Sequence, residues 1–267
     1  MSLSDLIFDL NRWQLALAAV VFALCVGAEQ LWPQMRGRDA QWKRWIVNLL
    51  LFAVGFGAVM VLAPWIQQLA VVVDRLIPLP PLVAMGLPVW LLVLVSVLLI
   101  DLLAYLIHLT FHSVPLLWRL HRTHHSDQLM DASTGVRHHP LEAIVGGVAQ
   151  LCILGVLGVP LLVVVGYAVV AVVWQFVTHL DVALPEPIDR VARLVVVTPG
   201  MHRVHHSVRM DEGNSNFGMI LSIWDRLFGT YRRRPVAGRR RMPVGVDGFD
   251  PGSGVLGSLR EPFRRQG

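Results

Sequence analysis

The chain has 267 residues, 55% of them hydrophobic and 15% charged, with a formal net charge of +5. Globular chains carry about 25% charged residues, so a disordered chain, a coiled coil and a polar nucleic-acid-binding domain are excluded. Residues 45–73, 76–100 and 143–178 hold no charge at all, and about 20 apolar residues suffice to cross a bilayer, which makes this an integral membrane protein.

The first predicted crossing covers 13–32. Asp5, Asp9 and Arg12 precede it where a signal peptide has a basic start, so it reads as a retained helix. The second covers 45–66 and the third 82–107, with Asp101 inside it. The run 143–178 would extend about 54 Å as one helix, too long for a core of about 30 Å. Pro160, with Gly155 and Gly158 before it, interrupts that run, because proline removes a donor and clashes with the preceding turn. Two antiparallel pieces are predicted, 143–158 and 161–178, as two crossings or as a re-entrant hairpin. The expected fold is therefore an all-α polytopic membrane helix bundle of about five segments under a cytoplasmic histidine-rich di-metal cap. Residues 1–81 form N-terminal membrane helices, 82–231 a catalytic domain and 232–267 a basic, flexible tail. Cys25 and Cys152 both sit in apolar runs and read as small core residues.

Charge sets the orientation. With five crossings, 21 of the 23 Lys and Arg fall on one side and only Arg12 and Arg75 on the other. The positive-inside rule makes the rich side cytoplasmic and the N-terminus external. The basic residues then read as anchors at an anionic leaflet, with no nucleic-acid partner. Arginine outnumbers lysine 22 to 1, which points to a bacterial genome and hence to the inner membrane.

All 11 histidines lie between His108 and His206. His108 and His112 form HxxxH; His121, His124 and His125 form HxxHH, and so do His202, His205 and His206. At this histidine frequency chance supplies about 0.02 copies of HxxHH, and there are two. Residues three and four apart share a helix face, so each motif aims two or three imidazoles at one point. Eight such nitrogens, with one or two more from His139 and His179, exceed the four ligands of a structural zinc and fit two metals. Imidazole suits Fe, Zn, Cu and Ni alike. Asp101, Tyr105, His108 and His112 lie on one stripe, and an intramembrane carboxylate there is placed to accept the second N–H of His108 or a neighbour. Pro140 with Glu142 is favourable helix N-terminal chemistry, which leaves Glu142 open as cap or site residue. Both histidine-bearing stretches fall on the same predicted side.

These residues resemble the fatty acid hydroxylase/sterol desaturase family of integral membrane, non-haem di-iron enzymes. The resemblance runs from about 101 to 230, through Asp101-Leu102-Leu103-Ala104-Tyr105, the three histidine boxes, Thr134 and Arg137-His138-His139-Pro140-Leu141-Glu142. It continues through His179, Thr198-Pro199, Asn216-Phe217-Gly218 and Trp224-Asp225-Arg226-Leu227-Phe228-Gly229-Thr230. The last stretch separates it from the acyl-lipid desaturases; Phe217, where the family more often has tyrosine, is a departure. The resemblance implies His108, His112, His121, His124, His125, His179, His202, His205 and His206 as metal ligands and His139 as a further candidate. It implies Asp101, Tyr105, Arg137, Glu142, Asn216 and Asp225 as an outer shell, while His138 matches no ligand position. Its cofactor would be two Fe ions, for which Zn can substitute, with dioxygen as co-substrate. The implied reaction is hydroxylation or desaturation of a lipid (sterol, fatty acyl, ether lipid or carotenoid) in lipid biosynthesis or modification.

No GxGxxG follows a strand, so electrons would come from a separate ferredoxin or small haem protein with its reductase. No GxSxG elbow or HExxH pattern is present, so no nucleophile is assigned. The alternative is a membrane metal transporter or sensor with a cytoplasmic His-rich site; apart from Asp101, however, the crossings offer few polar groups for a transport path.

Overall fold

A computed structural model describes residues 3–33, 41–77, 81–235, 242–249 and 254–264. It is all-α. Helices α1 (Leu3–Leu31), α2 (Gln41–Leu76), α3 (Val89–Ser113), α4 (Pro115–His125), α5 (Pro140–Val156) and α6 (Leu161–His179) are followed by short helices. These are α7 (Glu186–Ala192), α8 (Pro199–His205), α9 (Met210–Gly213), α10 (Ile223–Leu227) and α11 (Gly254–Arg260).

Among the described residues four helices are long and apolar enough to cross a membrane: α1, α2, α3 and α6. The expected fifth segment is α5, with 17 residues. At 1.5 Å per residue it is roughly 25 Å long against a core of about 30 Å. The five-crossing reading is thus corrected to four long helices and one short one. Gly158, at φ +61°, turns the chain after α5, and Pro160 caps α6. The third crossing starts at Val89 and not at 82. Leu82–Met85 forms a 3-10 turn that Gly86 closes at φ 67°, and Pro88 then caps α3. Helix α2 continues through Pro64 to Leu76, since in lipid a helix is the way to keep backbone groups bonded within the segment.

Large apolar side chains stay exposed along these helices, as lipid contact allows. Trp13, Trp32, Trp42, Trp65 and Trp90 are exposed near the ends of the apolar spans, where aromatic belts sit. Inside, Cys25 packs with Ala132, Val136 and Phe176, joining α1 to α6. Ile100, Leu154 and Tyr167 join α3, α5 and α6. Both cysteines are free thiols.

One end of the bundle is polar. Glu29, near the end of α1, accepts the backbone N–H groups of Ala132 (2.9 Å) and Asp181 (3.0 Å). Arg44 of α2 grips Asp127 and Asp131 at 2.8 and 2.9 Å, and Asn48 donates to Ser133. This clamps the 114–139 segment over the helix ends.

The expected loose tail is corrected for its described part. Ser258 and Glu261 are buried, and Ser258 accepts Arg137 at 3.0 Å. Arg122 meets Glu261 at 3.1 Å, and Met242 and Val244 pack on Met130. Buried guanidinium groups need acceptors, and the basic tail supplies them. Arg36, Arg38, Arg239, Arg240, Arg241 and Arg265, used above for orientation, lie outside the described residues.

Candidate metal centre

The polar end of the bundle gathers the histidines. His108 and His112 come from the last turns of α3, His121, His124 and His125 from α4, His179 from the end of α6, and the last box from α8 and its cap. They sort into two groups. His108, His112, His121, His125 and His205 form the first; His124, His179, His202 and His206 form the second. All nine, the histidines of the three boxes and His179, fall into one of the two groups, and each HxxHH straddles both. The groups adjoin where the His125 and His206 rings lie 4.4 Å apart.

The Nε2 atoms converge. His108 and His121 approach to 3.1 Å, as do His112 and His125. In the second group His179 Nε2 lies 3.2, 3.0 and 3.2 Å from those of His124, His202 and His206. These cannot all be hydrogen bonds, because a neutral ring has one donor. The outward nitrogens decide the tautomers. Nδ1 of His108 donates to the Phe217 carbonyl (2.8 Å), that of His205 to Ser215 (2.8 Å) and that of His179 to Gln175 (2.7 Å). Nδ1 of His124 meets the Arg137 carbonyl at 3.2 Å, that of His112 Asn214 Oδ1 at 3.2 Å and that of His121 Glu142 Oε1 at 2.6 Å. With the proton fixed on Nδ1, each Nε2 points a lone pair inward, and the Nε2 of His205 is buried with no partner. Lone pairs crowded at such distances are satisfied by shared cations, so the donor set fits two metals. Burial, reinforced by the neighbouring rings, holds His124, His125, His202, His205 and His206 well below the ordinary histidine value. They are neutral at pH 7, the form that ligates.

Glu142, in the first turn of α5, is buried and also accepts His138 Nδ1 at 2.9 Å. His138, which sequence reasoning left without a place, stacks on His124 at 4.5 Å and 5°. The His138–Glu142 spacing of four at a helix start was the available signal. Asn214, which holds His112, carried no signal.

The other expected residues are placed as follows. His139 is not among the converging rings; its Nδ1 caps α5 by accepting Leu141 N–H at 3.1 Å, and its Nε2 meets the Leu259 carbonyl. Asp101 touches no histidine. It accepts Tyr167 Oη–H (2.6 Å), Trp224 Nε1–H (2.7 Å) and the N–H groups of Ile220 and Leu221 (3.3 and 3.2 Å). Tyr105 hydrogen-bonds Thr230 (3.0 Å) and stacks on Phe228 at 5.4 Å. Asn216, at φ 58°, donates to the Met201 and Arg232 carbonyls. Asp225 accepts the N–H groups of Phe217 and Gly218 (2.7 and 2.9 Å) and so reaches His108 only through the Phe217 carbonyl. Arg137 acts through its own carbonyl, while its guanidinium is held by Asn48, Ser126, Ser258 and the Thr123 carbonyl. Gly135 has no room for a side chain, since a Cβ would lie 2.7 Å from the Gln175 carbonyl and 3.2 Å from His179 Nδ1.

A cavity of about 400 Å³ leads from the bundle to His108, His121, His124, His179 and His202. Its walls are apolar and come from α2, α3 and α5, with Gly146 and Gly147 keeping one side open. It can hold a hydrocarbon chain against the converged nitrogens and exclude water from them.

The fatty acid hydroxylase family model matches residues 93–230. Ornithine lipid hydroxylase OlsE of Rhizobium tropici is 34% identical over 165 residues, 61% of this chain and 47% of that protein. The alkylglycerol monooxygenase of Homo sapiens is 30% identical over 128 residues, 48% of this chain and 27% of that protein. That of Caenorhabditis elegans is 28% identical over 133 residues, 49% and 25% of the two chains. The match spans less than half the length of each of these relatives. No solved structure matches the chain. The matched stretch covers more than half of the chain and carries all nine converging histidines, so this protein belongs to the fatty acid hydroxylase family.

Proposed function

We propose that this protein is a membrane-bound, dioxygen-dependent lipid hydroxylase with two irons, and that residues 82–231 are its catalytic unit. The observation that carries the reading is the pair of buried all-imidazole groups at the end of an apolar cavity. His108, His112, His121, His125 and His205 would hold one metal and His124, His179, His202 and His206 the other. When bound, the irons supply reduction of dioxygen and oxidation of an unactivated C–H bond. The chain supplies the rest. The carbonyls of Phe217, Ser215, Gln175 and Arg137 and the side chains of Glu142 and Asn214 keep the protons on Nδ1 and the rings oriented. The cavity walls align the lipid chain and keep the site dry. One oxygen atom enters the product and the other leaves as water, with two electrons from a separate ferredoxin or small haem protein and two protons from solvent. The names of the relatives, an ornithine lipid hydroxylase and alkylglycerol monooxygenases, support hydroxylation and a lipid substrate.

The test is turnover with labelled dioxygen. Protein reconstituted alone should leave NADH and NADPH unconsumed; a ferredoxin-type donor and reductase should start turnover. The hydroxyl oxygen should carry the label from dioxygen. Label arriving from water, or turnover without dioxygen, would overturn the reading.

The site end is assigned to the cytoplasm of a bacterial inner membrane, with the N-terminus outside. The bias of Lys and Arg supports this, and α5 and α6, joined by the turn at Gly158, take the chain away from the site end and back to it. Reporter fusions are expected to place Val72 outside and Asp127 inside; an external Asp127 would reverse the assignment.

A further inference from the structure

The cavity beneath the histidines has a neighbour. A second cavity of about 360 Å³ lies between α1, α2 and α6, with Ala18 and Ala19 on one wall and Val172 on another. Phe52, Phe56 and Val136 line both cavities. A single layer of side chains therefore divides them, and the Phe52 and Phe56 rings lie 5.7 Å apart and 26° from parallel. The cavities sit at the same depth on α2, one along residues 51–60 and the other along 49–56. They are side by side and not end to end, so one chain could fill both only by doubling back around Phe52.

Both are walled largely by helices apolar enough to span a membrane, with the shorter apolar α5 on one side of the first, where hydrocarbon is the surrounding medium. Dry apolar walls lose their dispersion contacts unless hydrocarbon fills the space. The two volumes, 400 and 360 Å³, are nearly equal. A sterol is one rigid body and offers no second limb; a lipid with two hydrocarbon chains offers two of similar bulk.

We propose that the second cavity binds the second hydrocarbon chain of a two-chain lipid whose first chain lies in the histidine cavity, with Phe52 and Phe56 as the divider between them. This rests on the lipid-oxidation reading only in naming the first chain as the one that reacts.

The test uses the full chain held in amphipol, a two-chain phosphatidylcholine with a photoreactive diazirine on each chain, and its one-chain lyso counterpart. The two-chain probe should label both α1 near Ala19 and α5 near Gly146. Ala19→Trp, which fills the second cavity from an exposed helix position, should cut two-chain labelling of α5 about tenfold. Labelling of α5 by the one-chain probe should stay within about twofold of wild type. Ala18→Phe should repeat the pattern and guards against a folding defect of the first variant. Absence of α1 labelling in the wild type, or equal effects on the two probes in both variants, would overturn the proposal. The labelling needs neither dioxygen nor turnover, so it can fail while lipid oxidation stands, and the reverse.

Discussion

Alanine at His206 or His125 is expected to abolish the proposed lipid oxidation and to lower the bound iron. These rings adjoin at the seam between the two imidazole groups, 4.4 Å apart, and each contributes an inward Nε2 to a different group. Losing a ligand should cost more than the 10- to 100-fold that removal of an outer-shell partner typically costs. Glu142→Ala should fall within that smaller range, because it frees the Nδ1 of His121 without removing a ligand. His139→Ala should leave the iron content unchanged and cost about 1 kcal/mol as a lost helix cap. Parallel iron assays and turnover on the four variants check this; His139→Ala proving as damaging as His206→Ala would overturn the ligand set.

Asp101→Ala is expected to have the largest effect on stability. The carboxylate is buried and accepts four donors, from Tyr167, Trp224, Ile220 and Leu221. Each buried donor left unmade costs about 1–3 kcal/mol. Even with poor additivity, a loss of about 3 kcal/mol or more is expected, a large share of the roughly 5–15 kcal/mol that stabilises a typical fold. Thermal unfolding in detergent should show Tm falling by about 6–12 °C. Asp101→Asn keeps one acceptor oxygen but turns an N–H₂ toward donors, so it should lose roughly half as much. A Tm change below about 2 °C for Asp101→Ala would mean that the carboxylate does not hold the 220–224 segment to α3 and α6.

The histidine boxes were legible because helix periodicity is a local property. HxxxH on α3 and the two HxxHH patterns each needed only the rule that three- and four-residue spacings share a face. How the boxes divide between two groups was not legible. His121 and His125 go to one group and His124 to the other, while His202 and His206 part from His205 in the reverse sense. A residue three positions on and one four positions on lie on opposite flanks of a helix stripe, but only tertiary packing decides which flank faces which partner. Asp101 shows the same limit. Asp101, Tyr105 and His108 are all buried on α3, yet the 220–224 segment, over a hundred residues away, supplies donors to Asp101. The membrane helices were legible from charge-free runs, whereas the length of α5 depended on where Pro140 and Gly158 set its ends. Arginine-rich composition reads as solvated, whereas the described part of the tail buries Glu261 against Arg122 and Ser258 against Arg137.

Iron stoichiometry tests the central claim most directly. Two imidazole groups with inward lone pairs call for two metals per chain. Protein purified anaerobically with iron supplied should contain about two equivalents by elemental analysis, and His205→Ala and His202→Ala, one from each group, should each lower that number. A reproducible single equivalent in the wild type, or haem absorbance, would contradict the account.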